Sequence, residues 1–327
     1  MIWLTWRQSR GPVAVVAAAL AVLAAVLAIT VAGLSQLANT TSGTAFLNGL
    51  TSLDSTLYTV GAAAVLAVPG LVGVFWGAPL ITRELEAGTH RLVWNQGVTR
   101  TRWLATKLGC TGLLAMAAAG LTSLLVTWWA GPIDTAVDGT TATVGFYFPQ
   151  MFPVLFDTRG IVPVGYAAFA FTLGVTIGVF VRNTLPAMAA TLGAYLAVQV
   201  AVPLWLRPNL MAPVTTTTPI TMQNMLNITG NSLNVASPAP GAWIIAQHTV
   251  DTAGNQVGMP SWFDGCLGTS NVGACVGRLT SLGYRQVVDY QPASRFWTFQ
   301  WYELTIYLAL ALVLGGFCAW WVRRRVS

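Results

Sequence analysis

Six stretches of this sequence are apolar over the roughly 20 residues needed to cross about 30 Å of hydrocarbon, and none carries a charge near its middle. They run from Gly11 to Leu34, Leu57 to Ile81, Leu104 to Trp129, Ile161 to Val181, Leu185 to Leu206 and Glu303 to Val322. Backbone N–H and C=O groups in lipid have no water to bond, so each stretch must close its own hydrogen bonds as an α-helix. The fold class this dictates is an all-α membrane protein, a bundle of six transmembrane helices. The first stretch is too long for the apolar core of a secretory leader, and no evident soluble domain follows it.

A soluble reading fails on composition. Charged residues make up 8% of the chain, hydrophobic residues 55%, and the mean hydropathy is +0.64. Soluble domains carry about 25% charged residues. In a soluble chain the excess of 16 basic over 10 acidic residues would point to nucleic acid. In a membrane protein it sets orientation, because basic residues stay in the cytoplasm, and no nucleic-acid partner is expected. With the N-terminus inside, eleven of the 16 basic residues fall on the cytoplasmic side with only two acids, Glu84 and Glu86. That side then carries +9 and the other −3. Both termini are therefore expected in the cytoplasm, and tryptophans near the span ends, such as Trp76, Trp103, Trp128 and Trp205, suit the two interfaces.

The segments between the spans divide the chain further. Residues 1–10, where Ile2, Trp3 and Trp6 alternate with Arg7 and Arg10, read as a short amphipathic helix in the interface. Residues 11–206 hold the first five spans, with a cytoplasmic loop at 82–107 and an aromatic-rich external loop at 131–160 placed on the outer interface. Residues 207–300 are rich in Thr, Asn, Gly and Pro and too long for a plain loop, so a small external domain is expected between spans 5 and 6. Residues 301–327 complete the sixth span and a basic tail. Two GxxxG pairs, Gly73–Gly77 and Gly174–Gly178, mark faces where helix backbones can approach closely. Pro69 should kink the second span.

The chemistry that is missing narrows function. Ion-driven transporters and proton pumps place ionisable groups within the membrane, and membrane-embedded hydrolases need a constellation of acids and histidines there. Neither is evident. The only lysine, Lys107, lies outside any Gly-Lys-Ser or Gly-Lys-Thr context, so this chain binds no nucleotide through a P-loop of its own. No catalytic residue, bound cofactor or metal site is expected; His90 and His248 fall on opposite sides of the membrane. Cys266 and Cys275, in the external segment, are expected as a disulfide, with two free thiols as the alternative.

One cytoplasmic stretch is specific. Ile81 to Lys107 reads Ile-Thr-Arg-Glu-Leu-Glu-Ala-Gly-Thr-His-Arg-Leu-Val-Trp-Asn-Gln-Gly-Val-Thr-Arg-Thr-Arg-Trp-Leu-Ala-Thr-Lys. It resembles the loop between the second and third spans of ATP-binding-cassette exporter permeases of the type-2, ABCG-like class. The opening Trp-Leu-Thr-Trp-Arg-Gln and Tyr290 to Trp297 resemble actinobacterial members of that group. The resemblance implies a multi-pass plasma-membrane subunit that exports an amphipathic or hydrophobic cargo, such as a drug, lipid or lipopeptide. It implies two copies of a P-loop ATPase partner, with ATP and Mg bound there, and a second permease copy or a related permease. It also implies that Arg83, Glu84, Glu86, Gly88, Thr89, Arg91, Leu92 and Arg100 belong to a coupling helix docked on the ATPase. Because Glu84 and Glu86 are the only acids on so basic a face, at least one of them is expected to pair with a basic residue of that partner. Two other readings stay open at this point. The loop could instead lie on the anionic inner leaflet, and the chain could be a sensor or scaffold whose external domain binds an envelope ligand.

Overall fold

The computed structural model describes residues 2–88, 99–140, 147–229, 232–266 and 272–325. Among these are six helices long and apolar enough to cross a membrane: span 1 Arg10–Thr40, span 2 Ser52–Glu84, span 3 Arg102–Asp138, span 4 Val162–Val181, span 5 Thr184–Asn209 and span 6 Ala293–Arg324. The chain traverses the bundle six times, so both ends of the chain lie at one end of it. That end carries Arg83, Lys107, Arg182 and Arg323 and is called the basic end below. The other is the domain end, where residues 207–295 are inserted.

Span 4 is the hub. About two-thirds of its apolar window (67%) is buried, against 6% for span 1. The reason lies in its small residues. A Cβ added at Gly174 would lie 2.3 Å from the Gly73 carbonyl oxygen, and one at Gly178 would lie 2.7 Å from that of Ala78. On the facing helix, a Cβ at Gly77 would lie 2.5 Å from the Phe171 oxygen. The two GxxxG pairs are thus opposite halves of one backbone-to-backbone contact between spans 2 and 4, which only glycine permits.

Three element boundaries differ from those expected. Residues 2–10 continue the span 1 helix without a break, from Ile2 to Thr40. Pro12 removes one backbone donor there, and the Ala/Val/Leu-rich chain on either side carries the helix across. The span 3 helix runs from Arg100 to Asp138, so residues 131–138, assigned above to an external loop, are helical. At Pro69 the span 2 helix continues to Val72, and the irregularity follows as a π-helical turn at Gly73–Gly77. A proline takes out one i→i−4 hydrogen bond, and the widened turn beyond it re-registers the helix.

The inserted domain is an α/β unit. Strands β1 (Val214–Pro219), β4 (Trp243–Val250) and β5 (Arg285–Gln291) form an antiparallel sheet in the order β1-β5-β4, and β2 (Met225–Thr229) pairs with β3 (Ser232–Val235). Ile220, Leu233, Phe263, Leu279 and Val288 fill its core. Two amides join the pieces: the half-buried Gln247 bonds both the N–H and the C=O of Val235, and the buried Gln286 donates to the Leu233 oxygen at 2.7 Å. Cys266 and Cys275 are bridged, tying the turn after Ser261–Asp264 to the helix Val272–Ser281.

Candidate functional site

At the basic end, span 2 leaves the bundle as the helix Ala78–Glu86, and the chain returns as span 3 at Arg100, capped by the Thr99 hydroxyl on the Arg102 N–H. Two carboxylates fasten the foot of this crossover. Lys107, which also lies 5.1 Å from the Trp103 ring centroid, donates to Glu84. Glu86 accepts from the Thr184 N–H at 2.7 Å and the Thr184 hydroxyl at 2.8 Å. Thr184 opens the span 5 helix, so its N–H is one of the donors a helix start leaves without a partner. Those bonds, the backbone N–H first, hold the exposed Glu86 carboxyl below the usual carboxylate range. The foot of the crossover is therefore joined to span 3 through Glu84, to span 5 through Glu86, and to span 4 through the glycine contact.

Beside the crossover, span 1 stands off from spans 2 and 3. It is attached near the domain end, where Leu27 and Leu34 are buried with Val126, Trp129 and Ile133, and Trp129 Nε1 donates to the Thr30 hydroxyl at 2.9 Å. Towards the basic end it leaves a cavity of ≈ 430 Å³ lined by Leu20, Leu23, Val68, Leu71, Phe75 and Trp76 among others. A second, of ≈ 130 Å³, shares Phe75 and Trp76 and adds Pro12, Pro79, Arg83 and Lys107. Together they are apolar for most of their length and basic at one end.

The domain end is chemically different. Asp134, Asp157, Arg159, Arg207 and Glu303 are all buried there, Arg159, Arg207 and Glu303 completely. Arg159 donates from Nε to Asp134 at 2.6 Å and from Nη2 at 3.3 Å, and Tyr58 donates to the same carboxylate at 2.9 Å. Arg207 bonds Glu303 with Nε and Nη2, Asp157 with Nη2, and the Pro153 oxygen with Nη1. The Tyr166 hydroxyl lies 2.7 Å from Asp157 and 3.2 Å from Glu303. Gln300 completes the lock: its oxygen accepts from the N–H groups of Ile161 and Val162, and its amide donates to the oxygens of Phe156 and Arg159. Spans 2 to 6 meet in this network.

Of the expected coupling residues, Arg83, Glu84, Glu86 and Gly88 lie on or just beyond the Ala78–Glu86 helix, with Gly88 at φ +66 where the chain turns away. Arg100 begins the span 3 helix. Thr89, Arg91 and Leu92 lie outside the described residues. Of Glu84 and Glu86, at least one of which is expected to pair with the partner subunit, the first is engaged within the chain by Lys107 and the second by Thr184. The sequence reading missed the buried network. It placed Asp134, Asp157 and Arg159 in a loop on the outer interface, whereas the prolonged span 3 helix carries Asp134 inward. The available signal was three acids and two arginines gathered at span ends, around Tyr166 and Gln300.

Six apolar helices around a hydrogen-bonded hub define a multi-pass membrane protein with an apolar recess at one end. The family model for ABC-2 membrane transporter related proteins matches residues 10–207, more than half of the chain, and the chain belongs to that family. It is a membrane permease component of an ATP-binding-cassette transporter, a kind of subunit that works with an ATP-binding partner. The match takes in spans 1 to 5 and stops where the inserted domain begins. No curated protein and no solved structure matches the chain.

Proposed function

We propose that this chain is the permease half of an ABCG-like, ATP-driven exporter in an actinobacterial plasma membrane, with the basic end in the cytoplasm. Two copies, or one copy with a related permease, would pair with two P-loop ATPase subunits that bind ATP and Mg. The observation that carries the reading is the crossover between spans 2 and 3, an extension of span 2 fastened at its foot to spans 3 and 5 by Glu84 and Glu86. A push on Gly88, Thr89, Arg91 and Leu92 by the closing ATPase would act through those fastenings on Arg83, Arg100 and the spans they head. Glu84 and Glu86 then brace the coupling segment, and residues beyond Gly88 make the contact. Spans 2 and 5, taken here as the pathway, each contain a π-helical turn, at Gly73–Gly77 and Val202–Leu206, of the kind that recurs at functional sites. The recess beside span 1, apolar with Arg83 and Lys107 at one end, suits an amphipathic or hydrophobic cargo entering from the bilayer.

The test is co-purification of the ATPase and cargo-stimulated hydrolysis in reconstituted membranes. Leu92→Asp with Arg91→Glu should leave insertion intact and abolish both. Unchanged assembly and hydrolysis would remove the coupling assignment.

A further inference from the structure

The network at the domain end does not balance its charge. Asp134 and Arg159 neutralise each other. The remaining guanidinium, Arg207, faces two carboxylates, Asp157 and Glu303. With every group ionised, a site closed off from solvent would hold one negative charge too many. A buried uncompensated charge is strongly unfavourable, and a like-charged neighbour makes ionisation of the second carboxyl harder still. The surrounding elements offer no second cation among the described residues. Span 4 presents Tyr166; span 5 presents Tyr195 and Arg207; span 6 presents Glu303 and Tyr307. Span 3 adds Asp134 and, one turn on, Asp138, while span 2 adds Tyr58 against Arg159.

We propose that Asp157 and Glu303 together bind one proton, carried as a carboxylic acid on Asp157, and that this is a proton-binding site facing the domain side of the membrane. The atoms favour Asp157. Both oxygens of Glu303 accept hydrogen bonds from Arg207, and its side chain is fully buried. Asp157 takes its contacts from Arg207 and Tyr166 on Oδ1, leaving Oδ2 for the proton, and keeps 8% side-chain exposure as the way in and out. In agreement, burial pushes the Asp157 carboxyl up to about 6, with Arg207 pulling it down and Glu303 raising it again. A carboxyl raised above its ordinary value binds more proton in the folded protein than in the unfolded chain. Its contribution is therefore full at low pH and lost as pH rises from the ordinary carboxylate range through about 6. Deprotonation leaves two charges competing for Arg207 where spans 4, 5 and 6 meet, so the packing of those three spans follows the acidity of the domain side.

The test uses the full-length protein in lipid nanodiscs. The thermal midpoint should fall as pH is raised from about 4.5 to about 7, and infrared spectra should lose a protonated-carboxyl band over the same range. Asp157→Asn, a neutral isostere of the acid, should hold its midpoint near the parent's acidic value and flatten the profile. Glu303→Gln should also flatten it, by leaving Asp157 and Arg207 as a balanced pair. Asp138→Asn removes the half-buried carboxyl at this end and should still show a pH-dependent midpoint and a protonated-carboxyl band, which read Asp157 even if the other variants fail to fold. A parent midpoint independent of pH, a band that vanishes in Asp138→Asn, or a full profile surviving in Asp157→Asn would each overturn the proposal.

Discussion

The two ends of the bundle use charge in opposite ways. At the domain end five ionisable residues are turned inward, bonded to one another and to backbone groups, and withdrawn from solvent. At the basic end Arg83 and Glu86 are exposed at the rim, and an ion pair of Glu84 with the buried Lys107 closes the foot of a crossover. An inward network stakes stability on every member, because removing one partner strands another in a medium that cannot solvate it. A rim charge is cheap to lose and free to meet another molecule. The difference gives the domain end a closed network that holds spans 2 to 6 together and the basic end an open crossover that suits the transmission proposed above.

The sharpest break in that contrast is at the buried guanidiniums. Arg207→Leu should cost about 3–5 kcal/mol by stranding Asp157 and Glu303. It should be read as loss of folded protein on extraction, whereas Arg83→Leu should leave folding unchanged. Next comes the contact that joins the ends. Gly174→Val should separate spans 2 and 4 at a cost of about 1–3 kcal/mol or more, since even a Cβ has no room there. Its effect should exceed that of the same change at Gly193, where a Cβ meets nothing within 4 Å. Replacing Cys266 and Cys275 by serine should remove about 2–3 kcal/mol from the inserted domain, because the bridge closes a short loop. Limited proteolysis should find that loss confined to residues 207–295, with ATPase association intact. The smallest effect is at Glu86. Its carboxyl is held below the usual range, so the bond to Thr184 is present at neutral pH and fades as pH falls through that lowered value. Glu86→Gln should lose this acid sensitivity while barely altering stability at neutral pH, by denaturation across a pH series.

What was legible in the sequence follows the range of the interactions. The six spans were readable because apolar runs of that length have one solution in lipid. Both glycine pairs were readable as close-approach faces, though not that each is the other's partner, since Gly73 and Gly174 lie in spans 2 and 4 with span 3 between them in sequence. The bridge between Cys266 and Cys275 followed from two nearby cysteines in one non-membrane segment. The buried network was not legible. Arg207 and Glu303 are 96 residues apart, and Gln300 bonds groups more than 130 residues away, so no local pattern announces them. The strands of the inserted domain were missed for a related reason. β1 is a run of threonines, and Gln247 and Gln286 tie β4 and β5 to β3, so apolar alternation does not mark these strands.

The most direct measurement of the central claim, that the basic end transmits and the domain end holds, is ATP hydrolysis by the assembled transporter in proteoliposomes with residues 91 and 92 altered. With Leu92→Asp and Arg91→Glu, the permease should remain folded, with the parent's thermal midpoint, while the ATPase no longer co-purifies and cargo no longer stimulates hydrolysis. Parent-like association and stimulation in that variant, or a loss of folding in its place, would contradict the account.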